Sequence, residues 1–320
     1  MAVNRDKPDG WKSDIAQSVD MYNNWFLQFA PDAFRTTRIQ TTQAVENTLK
    51  ITENLTNLQP EVLRLYPEIL PTLRMATCPP LAVDRLIGLA GVSSGLVKRI
   101  ELEKKLPPRM MDTQVEVALG KIGAVIAKMA DPDILVWLQR TEPATEGEIH
   151  RAATIIADRL CGSVANPIIR NAQEKRQLKA IRTWLEEHGY HPFTTDNRTT
   201  LSMMPPGTFC FRMNVPTTLG DGIRQANMPI DVVIMPKDAT TEDFPLLIEA
   251  KSAGDFTNVN KRRKEEAMKM TLLRATYGDK IRFSLFLCGY FDTGYLGYEA
   301  AEGIDWVWEH RINDLAQFGL

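Results

Sequence analysis

Two apolar runs in the C-terminal half of the chain carry the residues best suited to chemistry. The first, Pro229-Ile230-Asp231-Val232-Val233-Ile234, holds one acid in a β-branched stretch. The second, Leu246-Leu247-Ile248-Glu249-Ala250-Lys251, ends in Glu-x-Lys. Carboxylates are hard oxygen ligands for Mg²⁺, which favours carboxylate, water and phosphate. Asp231, Glu249 and Lys251 together are the chemical minimum for holding a divalent metal against a phosphodiester. Asp231 and Glu249 would bind the metal, and Lys251 would hold or polarise the attacking water.

Elementary strand geometry groups these three residues. Side chains alternate across a strand, so Glu249 and Lys251 share one face while Ile248 and Ala250 take the other. The stretch from Pro236 to Phe244 is rich in turn residues and joins the two runs. Asp231 and Glu249 lie equally far from its midpoint near Thr240, so pairing of the runs as a hairpin brings the two acids nearly opposite each other. An acid near a Glu-x-Lys also occurs in ordinary sheets, and the neighbouring elements therefore bear on the reading.

Upstream, residues 167–188 predict a helix with Pro167 in its first turn and Gly189 as its stop. Leu178, Ile181 and Leu185 form an apolar stripe, and Glu174 falls on the same inward line. An acid there needs a partner. It either reaches the metal site or braces Lys251, or else it pairs with Arg170 or Lys175 at the end of the stripe.

Downstream, a loop over Gly254 to Asn260 leads into a basic helix start. Between residues 258 and 274 six basic side chains face two acids. Asn258, Asn260, Lys261, Arg262 and Arg263 are the candidates there for contact with a nucleic-acid backbone or base edges. The competing reading is a solvated helix with ion pairs along it. A third feature, residues 81–101, has the pattern of a helix-turn-helix. Leu86 and Leu89 face the core, Gly91 takes the turn, Val92 plugs the gap and Ser93 caps a second helix that presents Ser94, Lys98 and Arg99. Such a helix suits major-groove entry, although structural hairpins share the same turn.

Longer strings carry a family resemblance. They are Trp11-Lys-Ser-Asp-Ile-Ala-Gln-Ser-Val-Asp-Met-Tyr-Asn-Asn-Trp-Phe26, Phe29-Ala-Pro-Asp-Ala-Phe34, Asp84-Arg-Leu-Ile-Gly-Leu-Ala-Gly-Val-Ser93 and Ile169-Arg-Asn-Ala-Gln-Glu174. The most distinctive is Lys251-Ser-Ala-Gly-Asp-Phe-Thr-Asn-Val-Asn-Lys-Arg-Arg-Lys-Glu-Glu266, followed by Gly289-Tyr-Phe-Asp-Thr-Gly-Tyr-Leu-Gly297 and Asp305-Trp-Val-Trp-Glu-His-Arg311. Over nearly its whole length the chain resembles the XamI family of type II restriction endonucleases, within the PD-(D/E)XK nuclease superfamily. The resemblance implies Mg²⁺-dependent cleavage of double-stranded DNA at a short palindromic site. It assigns metal binding to Asp231 and Glu249 and the catalytic lysine role to Lys251. Glu174 matches the helical acid that precedes the core sheet in many superfamily members. This chain has Pro229-Ile230-Asp231 where the superfamily name has Pro-Asp, a weakly kept proline. A palindromic site implies a homodimer, and a cognate DNA methyltransferase would protect the host.

The rest of the chain fits this expectation. A net charge of −2 leaves only a local patch to meet nucleic acid. Residues from Glu299 onward carry five acids and one arginine, an acidic tail expected to face away from DNA. The four cysteines are widely spaced, which argues against a zinc ribbon and a disulfide framework and favours a reducing cytoplasm. The four histidines form no ligand cluster, and His188 and His191 read as a surface loop. No signal peptide, membrane span, Walker loop or dinucleotide fingerprint is visible.

The fold class expected is α/β (α+β), a PD-(D/E)XK restriction-endonuclease-like core with a mixed central sheet flanked by helices. Residues 1–164 read as a mainly helical region for DNA recognition or dimerisation, with apolar periodicity over 11–29, 33–57, 112–130 and 145–160. Thr145-Glu-Gly-Glu148 is a capping box. Residues 165–320 read as the nuclease domain, with strands at 208–213, 230–236, 245–251 and 281–289, a helix near 258–278, and a last strand at Trp306 and Trp308. Two other classes stay open on the residues: a structure-selective repair or recombination nuclease of the same core, and a non-catalytic helix-turn-helix regulator.

Overall fold

The computed structural model of the chain describes residues 2–194, 201–218, 224–240, 243–257 and 259–320, with main chain only at 202 and 259–262. The chain divides into two compact units, residues 30–169 and residues 1–29 with 170–320.

The 30–169 unit is helical. It contains part of α1 (Pro8–Ile51), then α2 (Pro60–Leu65), α3 (Leu70–Met75), α4 (Val83–Ala90), α5 (Ser94–Glu103), α6 (Asp112–Met129) and part of α7 (Glu146–Glu187). The periodic segments 11–29 and 33–57 are one helix with Pro31 inside it. That helix ends at Ile51, short of the expected end, because Glu53, Asn54 and Leu55 all adopt left-handed backbone conformations and such residues cannot continue a right-handed helix. Segments 145–160 and 167–188 likewise merge into α7, so Pro167 is internal and does not start a helix. The capping box at its N-terminus is reciprocal: Glu148 N–H donates to Thr145 Oγ1 at 3.3 Å, and Thr145 N–H donates to Glu148 Oε2 at 2.9 Å.

The helix-turn-helix pattern gives α4 and α5, with Gly91 left-handed between them at φ 59°. Leu86 and Ala90 are buried, but Leu89 is 50% exposed and faces away from the core. The inward stripe of α4 therefore runs along Leu86 and Ala90, four residues apart, and passes Leu89 by. Ser93 occupies the N-cap position without a side-chain capping bond.

The other unit is built on a six-stranded mixed sheet in the order β1-β2-β3-β4-β5-β6. The strands are β1 (His191–Pro192), β2 (Thr208–Thr218), β3 (Gln225–Met235), β4 (Leu246–Ala253), β5 (Arg282–Gly289) and β6 (Asp305–Trp308). β3 runs antiparallel to both of its neighbours, β2 and β4, whereas β4, β5 and β6 are parallel. Parallel neighbours need crossovers, which α8 (Val259–Tyr277) and α9 (Thr293–Ala301) supply. One face of the sheet packs Val232, Ile234, Ile248 and Phe286 with Ile181, Trp184 and Leu185 of α7. The opposite face packs Leu247, Leu285 and Leu287 with Met270 and Leu273 of α8, and Trp306 and Trp308 lie in this second core. Coverage on both faces explains the near-continuous apolar composition of β4 and β5.

One irregularity positions the site. Arg212 in β2 has a left-handed φ of 55°, a conformation costing a non-glycine residue roughly 1–2 kcal/mol. The β2–β3 pairs Phe211 with Val232 and Met213 with Ile230 flank Arg212 and Asp231. Alternation changes phase there: Cys210 and Met213 lie on one face although three residues apart, as do Ile230 and Val233 across from them. Asp231 sits at this phase change.

Residues 1–29 belong with the sheet, so the division differs from 1–164 and 165–320. The N–H groups of Val3, Asn4 and Arg5 donate to the Asp305 carboxylate at 2.5, 2.9 and 3.1 Å. Trp11 meets Trp306 edge-on at 5.4 Å, and Asp14 pairs with Arg311 at 2.9 Å. The stretch after Glu299 is not a solvated acidic tail, because Glu299, Asp305 and Glu309 are all buried. His188 is exposed and stacks on Trp184 at 3.9 Å. Among the described residues, no helix is long and apolar enough to cross a membrane.

Candidate active site

The β3–β4 pairing runs through Val232 with Ile248. Asp231 and Glu249 are the next residues beyond this last pair of the β3–β4 ladder. The backbone N–H of Ala250 donates to Asp231 Oδ2 at 2.9 Å, so the acid caps the end of the ladder. Glu249 is nearly buried, and its Oε1 accepts from Lys269 Nζ at 2.6 Å and from Lys251 Nζ at 3.1 Å. Its Oε2 is buried without a hydrogen-bond partner. Lys251 also lies 3.3 Å from Glu266 Oε1. Glu266 is fully buried, and its Oε2 accepts from the Tyr295 hydroxyl at 3.3 Å. Strand β4 thus contributes an acid and a base, and helix α8 contributes a second acid and base three residues apart.

Electrostatics follow from this packing. Burial, and then the neighbouring charge of Glu249, raise the pKa of Asp231 above the ordinary carboxylate value. Burial opposes the charge on Lys251, but Glu249 and Glu266 together outweigh it, so the lysine pKa is raised and the ammonium is maintained. Burial also raises Glu266, against the pull of Lys251. Behind it, burial and the charge of Glu266 push Glu299 up to about 8.

A cleft of about 760 Å³ opens onto Asp231, Glu249 and Lys251, with Tyr22, Gln173 and Glu174 on its walls. Ile181 and Leu185 are buried as expected, with Leu178 packed partly buried against the same core, and Gln173 and Gln177 extend the buried line one residue round from Glu174. Gln177 Nε2 reaches the carbonyls of Lys251 at 3.2 Å and Phe286 at 3.3 Å, tying the ends of β4 and β5 to the helix. Glu174 lies at the edge of that line and accepts from Arg212 at 2.6 Å, so its partner is Arg212 instead of Arg170 or Lys175.

Asn258 lies outside the described residues, and only the main chain of Asn260, Lys261 and Arg262 is described, at the start of α8. Arg263 stacks over the Tyr298 ring at 3.6 Å. Ser94 and Lys98 are exposed on α5. Lys98 pairs with Asp84 at 3.5 Å and Arg99 with Glu103 at 3.0 Å. Sequence reasoning missed Glu266, Lys269 and Gln177 as neighbours of the site. A signal for Glu266 was present: Glu266, Met270 and Leu273 share helical spacing, and all three are buried.

The residues fit a hard divalent cation. Two carboxylates stand close together, the charge of Glu249 raising the pKa of Asp231, and one buried oxygen of Glu249 has no protein donor. Among the described residues there is no cluster of three or more His, Cys, Asp or Glu that could hold a metal. A site of one or two carboxylates completed by water and substrate phosphate is the usual mode for Mg²⁺.

The comparisons with known proteins agree with this chemistry. The family model described as XamI restriction endonuclease matches residues 53–308. The chain is 50% identical over 317 residues to the type II restriction enzyme SalI of Streptomyces albus G, covering 99% of each protein. Among solved structures, protein VC1899 from Vibrio cholerae aligns with 90% of this chain and 55% of its own at 13% identity and a TM-score of 0.27, too weak to support an argument. The helix-flanked mixed sheet is consistent with the expected core, and the family match covers its catalytic candidates, so the chain belongs to the XamI family of type II restriction endonucleases.

Proposed function

We propose that this type II restriction endonuclease cleaves double-stranded DNA at a short palindromic site, with Asp231 and Glu249 holding Mg²⁺ and Lys251 as the catalytic lysine. Type II restriction endonucleases generally need a divalent metal, and the opposed acids carry the choice of site. When bound there, Mg²⁺ supplies Lewis-acid polarisation of the scissile phosphate and lowers the pKa of a nearby water.

The protein groups have separate tasks. Asp231 is oriented by the Ala250 N–H. Glu249 offers its unpartnered Oε2 toward the cation. Lys251, held as an ammonium between two carboxylates, positions the attacking water and stabilises charge that builds on the phosphate oxygens. Glu174 orients Arg212 at the edge of the cleft. DNA contact is assigned to Asn258, Asn260, Lys261, Arg262 and Arg263 at the start of α8, and more weakly to Ser94, Lys98 and Arg99 on α5. A palindromic site matches a homodimer with one active site per strand. Host DNA would be protected by a cognate methyltransferase, and the place of action is the cytoplasm.

Digestion of a long unmethylated phage DNA with and without Mg²⁺ tests this reading. Discrete bands only with the metal are expected, and their ends map the site. A metal-dependent smear would overturn sequence specificity, and intact DNA with both Mg²⁺ and Mn²⁺ would overturn the catalytic assignment.

A further inference from the structure

Helix α8 brings a second acid-base pair to the proposed metal site. Lys269 Nζ lies 2.6 Å from Glu249 Oε1, closer than Lys251 Nζ at 3.1 Å. Both ammonium groups therefore sit on one oxygen of a proposed metal ligand. Lys251 is in turn anchored at 3.3 Å by the fully buried Glu266. Met270 and Leu273 are buried on the same face of the helix, so Lys269 is held where it is by the packing of α8 on the sheet. With ordinary ionisation, the three acids Asp231, Glu249 and Glu266 and the two lysines sum to one negative charge. A divalent cation entering alone at the unpartnered Oε2 of Glu249 overcompensates that charge and is repelled by the ammonium groups on the other oxygen. A DNA phosphate arriving with the cation supplies the missing negative charge.

We propose that Lys269 is a positioning residue that keeps the cation affinity of the DNA-free site low, so that the metal is taken up together with the scissile phosphate. This inference rests on the assignment of Asp231 and Glu249 as metal ligands. The ammonium acts as a built-in counter-ion: it neutralises Glu249 when no metal is present and repels a cation that arrives without DNA. Loss of that charge leaves Glu249 with Lys251 alone among these two cations and removes a repulsion a few ångströms from the incoming ion. The expected gain in metal affinity is at least roughly tenfold.

Mn²⁺ binding to the full-length protein without DNA, measured by titration calorimetry, tests this. Lys269→Gln should bind Mn²⁺ at least about tenfold tighter than the wild type. Lys269→Arg, which keeps the charge, should stay near the wild-type affinity; a merely structural lysine would not produce this split. Thermal melts with and without Mn²⁺ report the same order of affinities and identify any variant that fails to fold, in which case Lys269→Met is measured in its place. Mn²⁺ affinity that is unchanged or weaker in the charge-removing variant overturns the inference while leaving the metal assignment standing. Tightened binding that survives addition of Asp231→Asn and Glu249→Gln overturns both, because the cation then sits elsewhere.

Discussion

Lys251→Met offers a test in which stability and catalysis separate. Lys251 Nζ lies 3.1 Å from Glu249 and 3.3 Å from Glu266. At these distances, with an effective dielectric near 20, each contact gains about 5 kcal/mol of Coulomb energy, offset by desolvation of the buried charges. The two acids do not lose equally. Glu249 keeps Lys269 at 2.6 Å, whereas Glu266, fully buried, keeps only the Tyr295 hydroxyl among its described side-chain bonds. Stranding one buried charge in this way costs about 3–5 kcal/mol. For a unit of this size that is a fall of roughly 10 °C in melting temperature. Adding Glu266→Gln removes the stranded charge, so the double variant should recover most of the loss. Cleavage should be abolished in both variants, while DNA binding measured by gel shift in Ca²⁺ stays close to wild type. A double variant as unstable as the sum of the two single changes would refute the pairing. Equal loss of binding and cleavage in Lys251→Met would refute the role given to the lysine.

Three further outcomes are expected. Asp231→Asn should lower cleavage by roughly a hundredfold or more without lowering the melting temperature of the metal-free protein, because burial and Glu249 already disfavour the aspartate charge; a variant melting well below wild type would refute this. Glu299, with an ordinary value of 4.5 and a folded value of about 8, keeps a proton that the unfolded chain releases between those pH values. The unfolded chain then binds fewer protons, so stability falls as pH rises through that window. Glu299→Gln should therefore melt higher than wild type at pH 8, by on the order of a few kcal/mol, with the gain vanishing near pH 4.5; a gain that does not change from pH 5 to pH 8 would contradict the assignment. Glu174→Ala removes an exposed ion pair with Arg212, so stability should change by about 0.5 kcal/mol or less, while single-turnover cleavage slows by roughly tenfold; unaltered cleavage would leave Glu174 without a role.

Much of the candidate site's geometry was legible in the sequence. The expected closeness of Asp231 and Glu249 follows from two apolar runs at equal distance from a turn-rich loop, and the β3–β4 ladder ends at the pair just before them, Val232 with Ile248. The capping box at Thr145 and Glu148 was legible for a similar reason, since its partners are three residues apart and need nothing distant. Element ends were less so. Pro167 reads as a helix start by local preference, yet α7 continues through it, and Glu174 falls one position off the buried line that Gln173 and Gln177 occupy. A shift of one residue turns a helical side chain by about 100°, and only packing against the sheet selects which of two adjacent residues faces in.

The sequence by itself determined the nature of the chemistry and the class of fold. Short apolar, β-branched runs, a Glu-x-Lys at the end of one of them, and long family-specific strings are all local, so they can be read in one dimension. Tertiary structure decided which distant residues share the site. Glu266 and Lys269 reach Glu249 and Lys251 only because a parallel crossover lays α8 against β4. Residues 1–29 join the sheet through partners far along the chain, among them Asp305, which accepts the N–H groups of Val3, Asn4 and Arg5, and Trp306 and Arg311, which meet Trp11 and Asp14. Glu299, Asp305 and Glu309 look like a solvated acidic tail in sequence and are buried in the fold. Burial is a collective outcome of how elements pack, and charge alone does not reveal it.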